Sequence, residues 1–364
     1  MSARPKLPVA ELATFVTGLF AAAGLSDGAA ARVAGALMDA EMAGKTSHGL
    51  ILAEANLRRL IAGSMTGAER ATIVSERGAT VVMDAADMNG LLAAEHAMEV
   101  AVARARDLGI AAVAVRRAYH FGVAGRYAKM AADAGCIGIA TCNTRVVASA
   151  PGGTDRLVGT NPLAIAIPTA GEPAILLDMA TTEGSMGKVR HALAVGDRIP
   201  EGWALGPDGK PTTDPAAALK GTLQPLGGAK GFGLALVIDM MSGLLASGGW
   251  GPALGTMQGD PSEPYNSSFL FMALDVEHFR DLGEFRTEAE DAARRVRTSH
   301  PAAGADRVMT PGERSYRAMR ANDGTLTIAP RLARTLAGLA RVLGVETPVG
   351  LTAAAAAQRV GRSG

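Results

Sequence analysis

The sequence has few of the residues that mark several classes of protein. Its 364 residues include two cysteines, Cys136 and Cys142, and no Cys-x-x-Cys motif, which argues against a disulfide framework and favours buried, reduced thiols in a cytoplasmic protein. Aromatic residues make up 4% of the chain and the net charge is +1. These values give no electrostatic or stacking basis for a nucleic-acid partner or an anionic membrane.

Long uninterrupted hydrophobic runs are also missing. The N-terminal segment superficially resembles a signal peptide, but Glu11 interrupts it, and Leu12, Phe15 and Val16 recur at helical spacing. We therefore predict an amphipathic core helix there. The apolar run "GFGLALVIDMMSGLLA" contains Asp239 and is too short to span a bilayer, so we predict a long buried helix.

The usual nucleotide-binding signatures are absent as well. No Gly-x-Gly-x-x-Gly follows a strand at the start of a βαβ unit, and there is no Walker A motif. The segment "GGAKGFG" places Lys230 among glycines at the start of a predicted helix. Exposed amides and one cation suit a phosphate, but a structural turn explains the same residues, and the pattern alone leaves both alternatives open.

Hydrophobic residues make up 48% of the chain, enough for a large core and two domains. Residues 8–44 predict two helices, the second beginning at Ser26 or Asp27. Strands and helices then alternate from "ATVVMDAADMNG" through a helix closed by Gly109 to "AILLDMATT", and a helical pattern returns after Thr287. This order predicts an α/β fold.

Three residues at the ends of regular elements are candidates for chemistry. His48 in "TSHG" and His120 in "AYHFG" both precede a glycine, and Asp178 ends a run of aliphatic residues. A carboxylate at a strand end could orient an imidazole and stabilise its charged form. The alternative is that both histidines are structural or surface residues.

Metal binding is the competing use of such side chains. His96 and Glu99 lie in "HAMEV", and Asp275, Glu277 and His278 lie in "DVEHF", but neither group matches a known ligand motif. Both groups fit ordinary helix faces, and we expect no metal. A metal-dependent hydrolase is therefore the less favoured alternative.

Several segments together resemble one family, the type 2 malate/lactate dehydrogenases, which includes ureidoglycolate dehydrogenase, diketogulonate reductase, sulfolactate dehydrogenase and piperideine-2-carboxylate reductase. They are "SHG", "HFGVAGRYA", "GTNPLAIAIP", "LLDMATT", "RIPEGWALGPDGKPTTDP", "GGAKGFGLAL" and "TPGER", in that order over nearly the whole chain. The resemblance implies a non-Rossmann, mixed-sheet α/β domain at residues 76–299 that binds NAD(H) or NADP(H). It also implies a mostly helical domain formed by residues 1–75 with 300–364, and a homodimer. The implied reaction is hydride transfer between nicotinamide and a 2-oxo acid, a 2-hydroxy acid or a cyclic imine.

The resemblance also assigns roles by position. His48 would donate the proton, with Ser47 beside it, Asp178 would hold His48, and His120 would lie by the nicotinamide or itself act as the base. Lys230 and Gly231 would meet the cofactor phosphates, and Thr160 would line both cofactor and substrate. The full implied cofactor set is His120, Thr160, Asp178, Met179, Ala180, Thr181, Lys230, Gly231, Gly312, Glu313 and Arg314, the last three closing over the cofactor.

The sequence departs from the family pattern beside the histidine. Leu52 stands where the family has an arginine that pairs with the substrate carboxylate, and Asn56 replaces a tyrosine. Either the substrate has no carboxylate at that point, or another cation such as Arg145 binds it; Arg145 also fits a solvated surface position. A protein that keeps the cofactor pocket but has lost turnover is a further alternative.

Overall fold

The computed structural model describes residues 6–257 and 259–356. Its helices are α1 (Val9–Ala22), α2 (Asp27–Met42), α3 (Ala53–Ala62), α4 (Gly90–Leu108), α5 (Ala124–Asp133), α6 (Met186–Val195), α7 (Pro215–Lys220), α8 (Ala229–Asp239), α9 (Leu282–Arg297), α10 (Glu313–Arg320), α11 (Pro330–Leu343) and α12 (Val349–Ala356). Its strands are β1 (Lys6–Pro8), β2 (Thr72–Arg77), β3 (Thr80–Asp84), β4 (Ile110–Ala118), β5 (Cys136–Cys142), β6 (Leu163–Ile167), β7 (Ile175–Met179), β8 (Ala204–Leu205), β9 (Pro211–Thr212), β10 (Thr222–Leu223), β11 (Ser267–Asp275) and β12 (Thr325–Thr327). Two 3₁₀ turns, Thr46–His48 and Leu50–Leu52, separate α2 from α3.

Helix limits follow local capping chemistry. The Ser26 hydroxyl accepts a hydrogen bond from the Ala29 amide at 3.2 Å and so caps α2. Asn89 caps α4 by accepting from the Leu91 amide at 3.0 Å, and Gly109 follows its last turn with a φ of 82°. The predicted start of the second helix and the predicted end at Gly109 are confirmed.

A seven-stranded mixed sheet forms the centre of the molecule, in the order β2-β3-β4-β11-β5-β6-β7. β3 and β4 are parallel and are joined by α4, whereas every other neighbouring pair is antiparallel. β11 lies between β4 and β5 although it comes much later in the chain. The predicted α/β fold with a mixed sheet is confirmed.

Aromatic residues, scarce in the sequence, are concentrated against this sheet. The Phe121 and Phe269 rings stack with centroids 4.8 Å apart, and Tyr127 lies 5.3 Å from Phe121 and 5.6 Å from Phe271. Tyr127 belongs to α5, and Phe269 and Phe271 belong to β11, so the cluster holds a helix against the central strand. Because Phe121 directly follows His120, the same packing fixes the loop that carries this histidine.

The two ends of the described chain meet in space. β1 pairs antiparallel with β12, placing Leu7 opposite Leu326. α1 packs against α2 and α11, and Phe20 and Leu336 are both fully buried in the same core. N-terminal and C-terminal helices therefore share one core; the limits at residues 75, 76, 299 and 300 stay a prediction.

The prediction of a long buried helix at "GFGLALVIDMMSGLLA" is wrong in one respect. α8 continues into a π-helical turn, Met240–Leu244, but one side of this helix faces solvent. The exposed side chains are Leu236 37%, Val237 51%, Met240 45%, Met241 40%, Leu244 48% and Leu245 59%. They recur every four residues and form one stripe. The prediction missed this exposure because hydrophobicity in a sequence does not say whether the chain itself or another surface covers an apolar residue. Among the described residues, no helix is both long enough and apolar enough to cross a membrane.

Candidate active site

The Ser47-His48 pair lies on a tight turn fixed by the end of α2. The Lys45 amide donates to the Ala40 carbonyl, and the His48 amide donates to the Lys45 carbonyl, both at 2.8 Å. The Ser47 hydroxyl lies 2.9 Å from Nδ1 of His48. His48 is therefore held by its backbone on one side and by a hydroxyl on its ring.

Glu41 supports the same turn from the last part of α2. Its carboxylate accepts a hydrogen bond from the Leu50 amide at 2.9 Å. A Cβ at position 49 would lie 2.5 Å from Oε1 of Glu41, so Gly49 is required by this close approach. Sequence reasoning did not single out Glu41, because its spacing from the motif resembles that of any helix-surface acid.

His120 comes from a different part of the fold and faces His48. The two ring centroids are 5.6 Å apart. The Gly122 amide donates to Nδ1 of His120 at 3.1 Å, so the neutral ring carries its proton on Nε2. Burial, and then the charge of His48, lowers the pKa of His120 to about 3. The ring is thus a neutral hydrogen-bond donor at physiological pH. Gly90 makes this arrangement possible, since a Cβ there would lie 1.9 Å from the Tyr119 carbonyl oxygen.

Asp178 reaches the site from β7, but its hydrogen bond differs from the one predicted. Its Oδ2 accepts from the Lys45 ammonium, and no hydrogen bond joins it to His48 in the described part of the chain. Lys45 was not among the predicted residues, although its position three residues before His48 was a usable signal. The interaction of Asp178 with His48 is electrostatic.

These neighbours set the charge of His48. Burial lowers the pKa of His48 most, the Asp178 carboxylate opposes this, and the Lys45 ammonium lowers it further. The result is a pKa below the ordinary value for histidine. His48 is therefore mainly neutral at neutral pH and can accept a proton.

Three threonines connect the predicted cofactor residues beside the histidines. The Thr181 amide and hydroxyl both donate to the Thr160 carbonyl at 2.9 Å. The Thr160 amide in turn donates to the Thr144 hydroxyl at 2.9 Å. The structure thus brings Thr160 next to the β7 end that carries Asp178, Met179 and Ala180, through a residue, Thr144, that the sequence did not single out.

Lys230 and Gly231 lie at the start of α8, where no side chain caps the helix. Lys230 is exposed. A Cβ at position 231 would lie 2.3 Å from the Leu226 carbonyl and 2.8 Å from the Thr181 carbonyl, so glycine lets the helix start approach the end of β7. A helix start without a side-chain cap, one cation and a close backbone approach share this corner.

The segment at Gly312 packs on the edge strand of the sheet. A Cβ at Gly312 would lie 2.8 Å from that of Leu176, and the Leu176 amide donates to the Pro311 carbonyl at 3.0 Å. Gly312 therefore lies two residues along β7 from the Asp178 position. Arg314 is exposed on the outer side.

Glu313, predicted to close over the cofactor, has partners within the fold. Its carboxylate accepts from Nε of Arg317 at 2.7 Å, from Nε of Arg297 at 3.2 Å and from the Thr310 amide and hydroxyl at 3.1 Å. Burial alone would raise the pKa of Glu313, but the bonds from Arg317 and Thr310 outweigh it and hold the pKa below its ordinary value. Its side chain therefore anchors α10 to α9.

The side chains around Leu52 are apolar or bonded to one another. Leu52 lies one turn beyond His48 and is 7% exposed. The Asn56 amide group donates to the Leu52 carbonyl at 2.7 Å, and Asn56 accepts from Asn89 at 2.9 Å. Asn56 therefore fastens α3 to the start of α4.

Arg145 lies on the loop after β5 and is exposed. Burial is the main cause of the lowered pKa of Arg190 on α6, and the charge of Arg145 lowers it further, which places the two cations close together. Arg145 also acts on Tyr265, whose ring centroid is 6.5 Å from that of His120. Arg145 thus lies on the His120 side of the site.

The two candidate metal groups have other partners. His96 accepts the Ala71 amide on Nδ1 at 3.0 Å, and His278 bonds the Arg106 carbonyl at 2.9 Å. Asp275 accepts from the Glu277 amide. Within residues 6–257 and 259–356, no group of three His, Cys, Asp or Glu side chains could hold a metal ion.

Comparison with known proteins places these features in one class. The model of the malate/L-lactate dehydrogenase family matches residues 7–337. The chain is 34% identical over 322 residues to the malate dehydrogenase of Pyrococcus abyssi, covering 86% of this chain and 88% of that protein. It is 34% identical over 292 residues to the NAD(+) ureidoglycolate dehydrogenase of Escherichia coli O157:H7, covering 80% and 83%. The solved structure of the sulfolactate dehydrogenase of Methanocaldococcus jannaschii superposes with a TM-score of 0.88 at 33% identity, covering 94% of this chain and 98% of that one.

The fold and the relatives define an NAD(P)-dependent dehydrogenase. The chain belongs to the malate/L-lactate dehydrogenase family. The hydrolase alternative finds no support in these relatives, all of which are named as dehydrogenases.

Proposed function

We propose that this protein catalyses reversible hydride transfer between NAD(P) and a 2-hydroxy acid, or a related 2-oxo acid or cyclic imine, with His48 as the acid–base residue. The proposal rests mainly on the two facing imidazoles, 5.6 Å apart and in different hydrogen-bonding states. Nδ1 of His120 is occupied by the Gly122 amide, whereas in the described part of the chain the His48 ring bonds the Ser47 hydroxyl alone and can exchange a proton. Bound NAD(P)H supplies the hydride; the chain supplies position and the proton.

The two histidines have distinct tasks in this proposal. A substrate oxygen in contact with both rings would accept a hydrogen bond from Nε2 of His120, which stays neutral because its pKa is about 3. His48 would take the hydroxyl proton in oxidation and return it in reduction. Ser47 bonds the opposite ring nitrogen of His48 and so keeps the ring oriented.

The cofactor residues are proposed on the fit of this corner of the fold. The uncapped start of α8 at Lys230 and Gly231 suits an anionic phosphate, because helix N-terminal amides carry partial positive charge. Thr160 and residues 178–181 would line the neighbouring wall. Gly312 would cover the wall from the edge of β7, with the exposed Arg314 beside it.

The test is a substrate panel with each reduced cofactor. We expect at least one 2-oxo acid or cyclic imine to cause oxidation of NADH or NADPH, measured as the loss of absorbance of the reduced cofactor. Carboxylate-free ketones serve as the comparison. Cofactor binding without oxidation across the whole panel would instead support a family member that has lost turnover.

We further propose that Leu52 makes the substrate wall beyond His48 apolar, so that pyruvate and oxaloacetate are poor substrates. A carboxylate facing Leu52 would be partly desolvated without a cationic partner. The two terminal nitrogens of Arg59 are engaged by the Thr256 and Glu263 carbonyls, which hold this side chain in the fold. Arg145, near Tyr265 on the other side, is the cation that we propose for a substrate anion.

Leu52→Arg is expected to raise kcat/KM for small 2-oxo acids by roughly tenfold or more, because it restores a charge-assisted pair of about 1.5–3 kcal/mol. Leu52→Met keeps the size without the charge and should leave these substrates poor. In the same assays Arg145→Ala should weaken the preferred substrate if that substrate is an anion. A wild-type kcat/KM of about 10⁴ M⁻¹s⁻¹ or more for pyruvate or oxaloacetate would contradict the proposal that Leu52 makes these substrates poor.

We propose that the apolar stripe of α8 and its π-helical turn is covered by a second copy of the chain. An exposed apolar stripe of this kind suits a self-complementary contact about a two-fold axis. Light scattering should give a dimer mass for the wild type and a monomer mass for Leu245→Asp. Val342→Asp, at an apolar position 73% exposed on α11, is the matched control and should remain dimeric. A wild-type monomer would rule the contact out.

We also propose a cytoplasmic location, where reduced nicotinamide cofactors are available. Cys136 and Cys142 are both buried free thiols on β5, as expected in a reducing compartment. Fractionation of the producing cells tests this, and recovery in an extracytoplasmic fraction would contradict it.

A further inference from the structure

Lys45 separates the two groups that the sequence predicts as a carboxylate–imidazole pair. Its ammonium binds Oδ2 of Asp178, with 28% and 15% of the two side chains exposed. The ring of His48 has the Ser47 hydroxyl on Nδ1 instead of a carboxylate. Each member of the expected pair therefore has a different partner.

The positions of both partners are fixed by the backbone around them. Lys45 begins the turn that ends at His48, since the His48 amide donates to the Lys45 carbonyl. Asp178 packs on the first turn of α5, because a Cβ at Gly125 would lie 2.8 Å from its Oδ2. The carboxylate thus faces the positive end of a helix as well as the ammonium.

We propose that Lys45 is a positioning residue that engages the Asp178 carboxylate, keeps it from pairing with His48 and so leaves the imidazole neutral. A carboxylate bonded to an imidazole stabilises the charged ring, and an ammonium next to that carboxylate cancels most of this effect. The inference rests on the acid–base role of His48 proposed above.

The protonation state of His48 sets how the rate of each direction of the reaction depends on pH. A neutral His48 is ready to remove a proton from a hydroxyl group, which oxidation requires. Reduction requires the protonated ring, so its rate should rise as the pH falls toward the pKa of His48. Burial is the largest cause of the lowered pKa of His48, and the Lys45 ammonium lowers it further against the Asp178 carboxylate, in agreement with this pH dependence.

Two further titratable groups have to be separated from His48, one on the facing ring and one at the end of α2 that supports the same turn. His120 lies across the site but titrates far lower, at about 3. Burial raises the pKa of Glu41 to about 7 against the opposing hydrogen bond of the Leu50 amide, so it titrates close to the range of a histidine. Glu41→Gln removes this group and identifies any step that it contributes.

The experiment is an NMR titration of the His48 ring in the wild type, Lys45→Met and Lys45→Arg, with the His48→Gln spectrum identifying the signal. We expect the His48 pKa to rise by about one unit or more in Lys45→Met, since an opposite charge at close range shifts a pKa by about 1–3 units. Lys45→Arg keeps the charge and should stay within about half a unit of the wild type. The apparent pKa in the pH–rate profile of reduction should rise by a similar amount in Lys45→Met.

An unchanged His48 pKa in Lys45→Met would overturn the proposal and leave Lys45 a structural residue. Should that variant not fold, Lys45→Gln makes the same comparison. Adding Asp178→Asn tests the route: the rise caused by losing Lys45 should be smaller without the carboxylate, and an equal rise would mean that Lys45 acts directly on His48. The titration needs no substrate, so it stands apart from failure of the substrate panel.

Discussion

Replacing His48 with alanine is expected to lower kcat by about 10²–10⁴-fold while leaving cofactor affinity nearly unchanged. The reason is that His120, the other imidazole of the site, is held neutral with Nδ1 occupied by the Gly122 amide. It can donate a hydrogen bond but is poorly suited to cycle a proton. The measurement is steady-state turnover of the best substrate of the panel, with cofactor fluorescence titrated separately.

His300→Ala is the matched control, because His300 is an exposed histidine remote in sequence from the site. It should keep wild-type turnover. A fall of less than about threefold in His48→Ala would mean that the proton comes from elsewhere, and His120 would then be the next residue to replace.

Replacing Lys230 with alanine is expected to weaken NAD(P)H binding by roughly 1.5–3 kcal/mol, or about ten- to 150-fold. Lys230 is the cation at an uncapped helix start, and the Gly231 backbone beside it approaches Thr181 too closely for any side chain. Fluorescence titration with NADH and NADPH measures the change. A larger loss for one cofactor would also show which phosphate groups this corner binds.

Lys220→Ala serves as the control for charge alone, since Lys220 is an exposed lysine at the end of α7. It removes the same charge and should leave affinity unchanged. Equal affinity in Lys230→Ala and the wild type would return "GGAKGFG" to a structural turn.

The sequence predicts those elements whose causes are local. α4 was predictable because its helical periodicity lies within its own residues and its two caps, Asn89 and Gly109, directly flank them. The position of β11 was not, because its neighbours in the sheet, β4 and β5, are distant in the chain and its apolar pattern would suit several places in a sheet. The exposed face of α8 was missed for a related reason: hydrophobicity does not identify the surface that covers it.

The same distinction holds in the site. The motif around Ser47 and His48 is contiguous, and its resemblance to a family identified it at once. The contact between Lys45 and Asp178 joins residues 133 positions apart, so only the folded chain brings it to light. For Glu313 the motif suggests a cofactor contact, which stays a prediction, and the folded chain adds the partners Arg297 and Arg317 that the motif does not show.

The central place of β11 decides when the sheet can be completed during synthesis of the chain. Synthesis runs from the N-terminus, so β4 and β5 leave the ribosome long before Ser267–Asp275. Until then each has an open edge where the last-made strand of this sheet will lie, with unpaired amides and carbonyls. While residues 143–266 are being made, β4 and β5 therefore lack the strand that lies between them at the centre of the finished sheet.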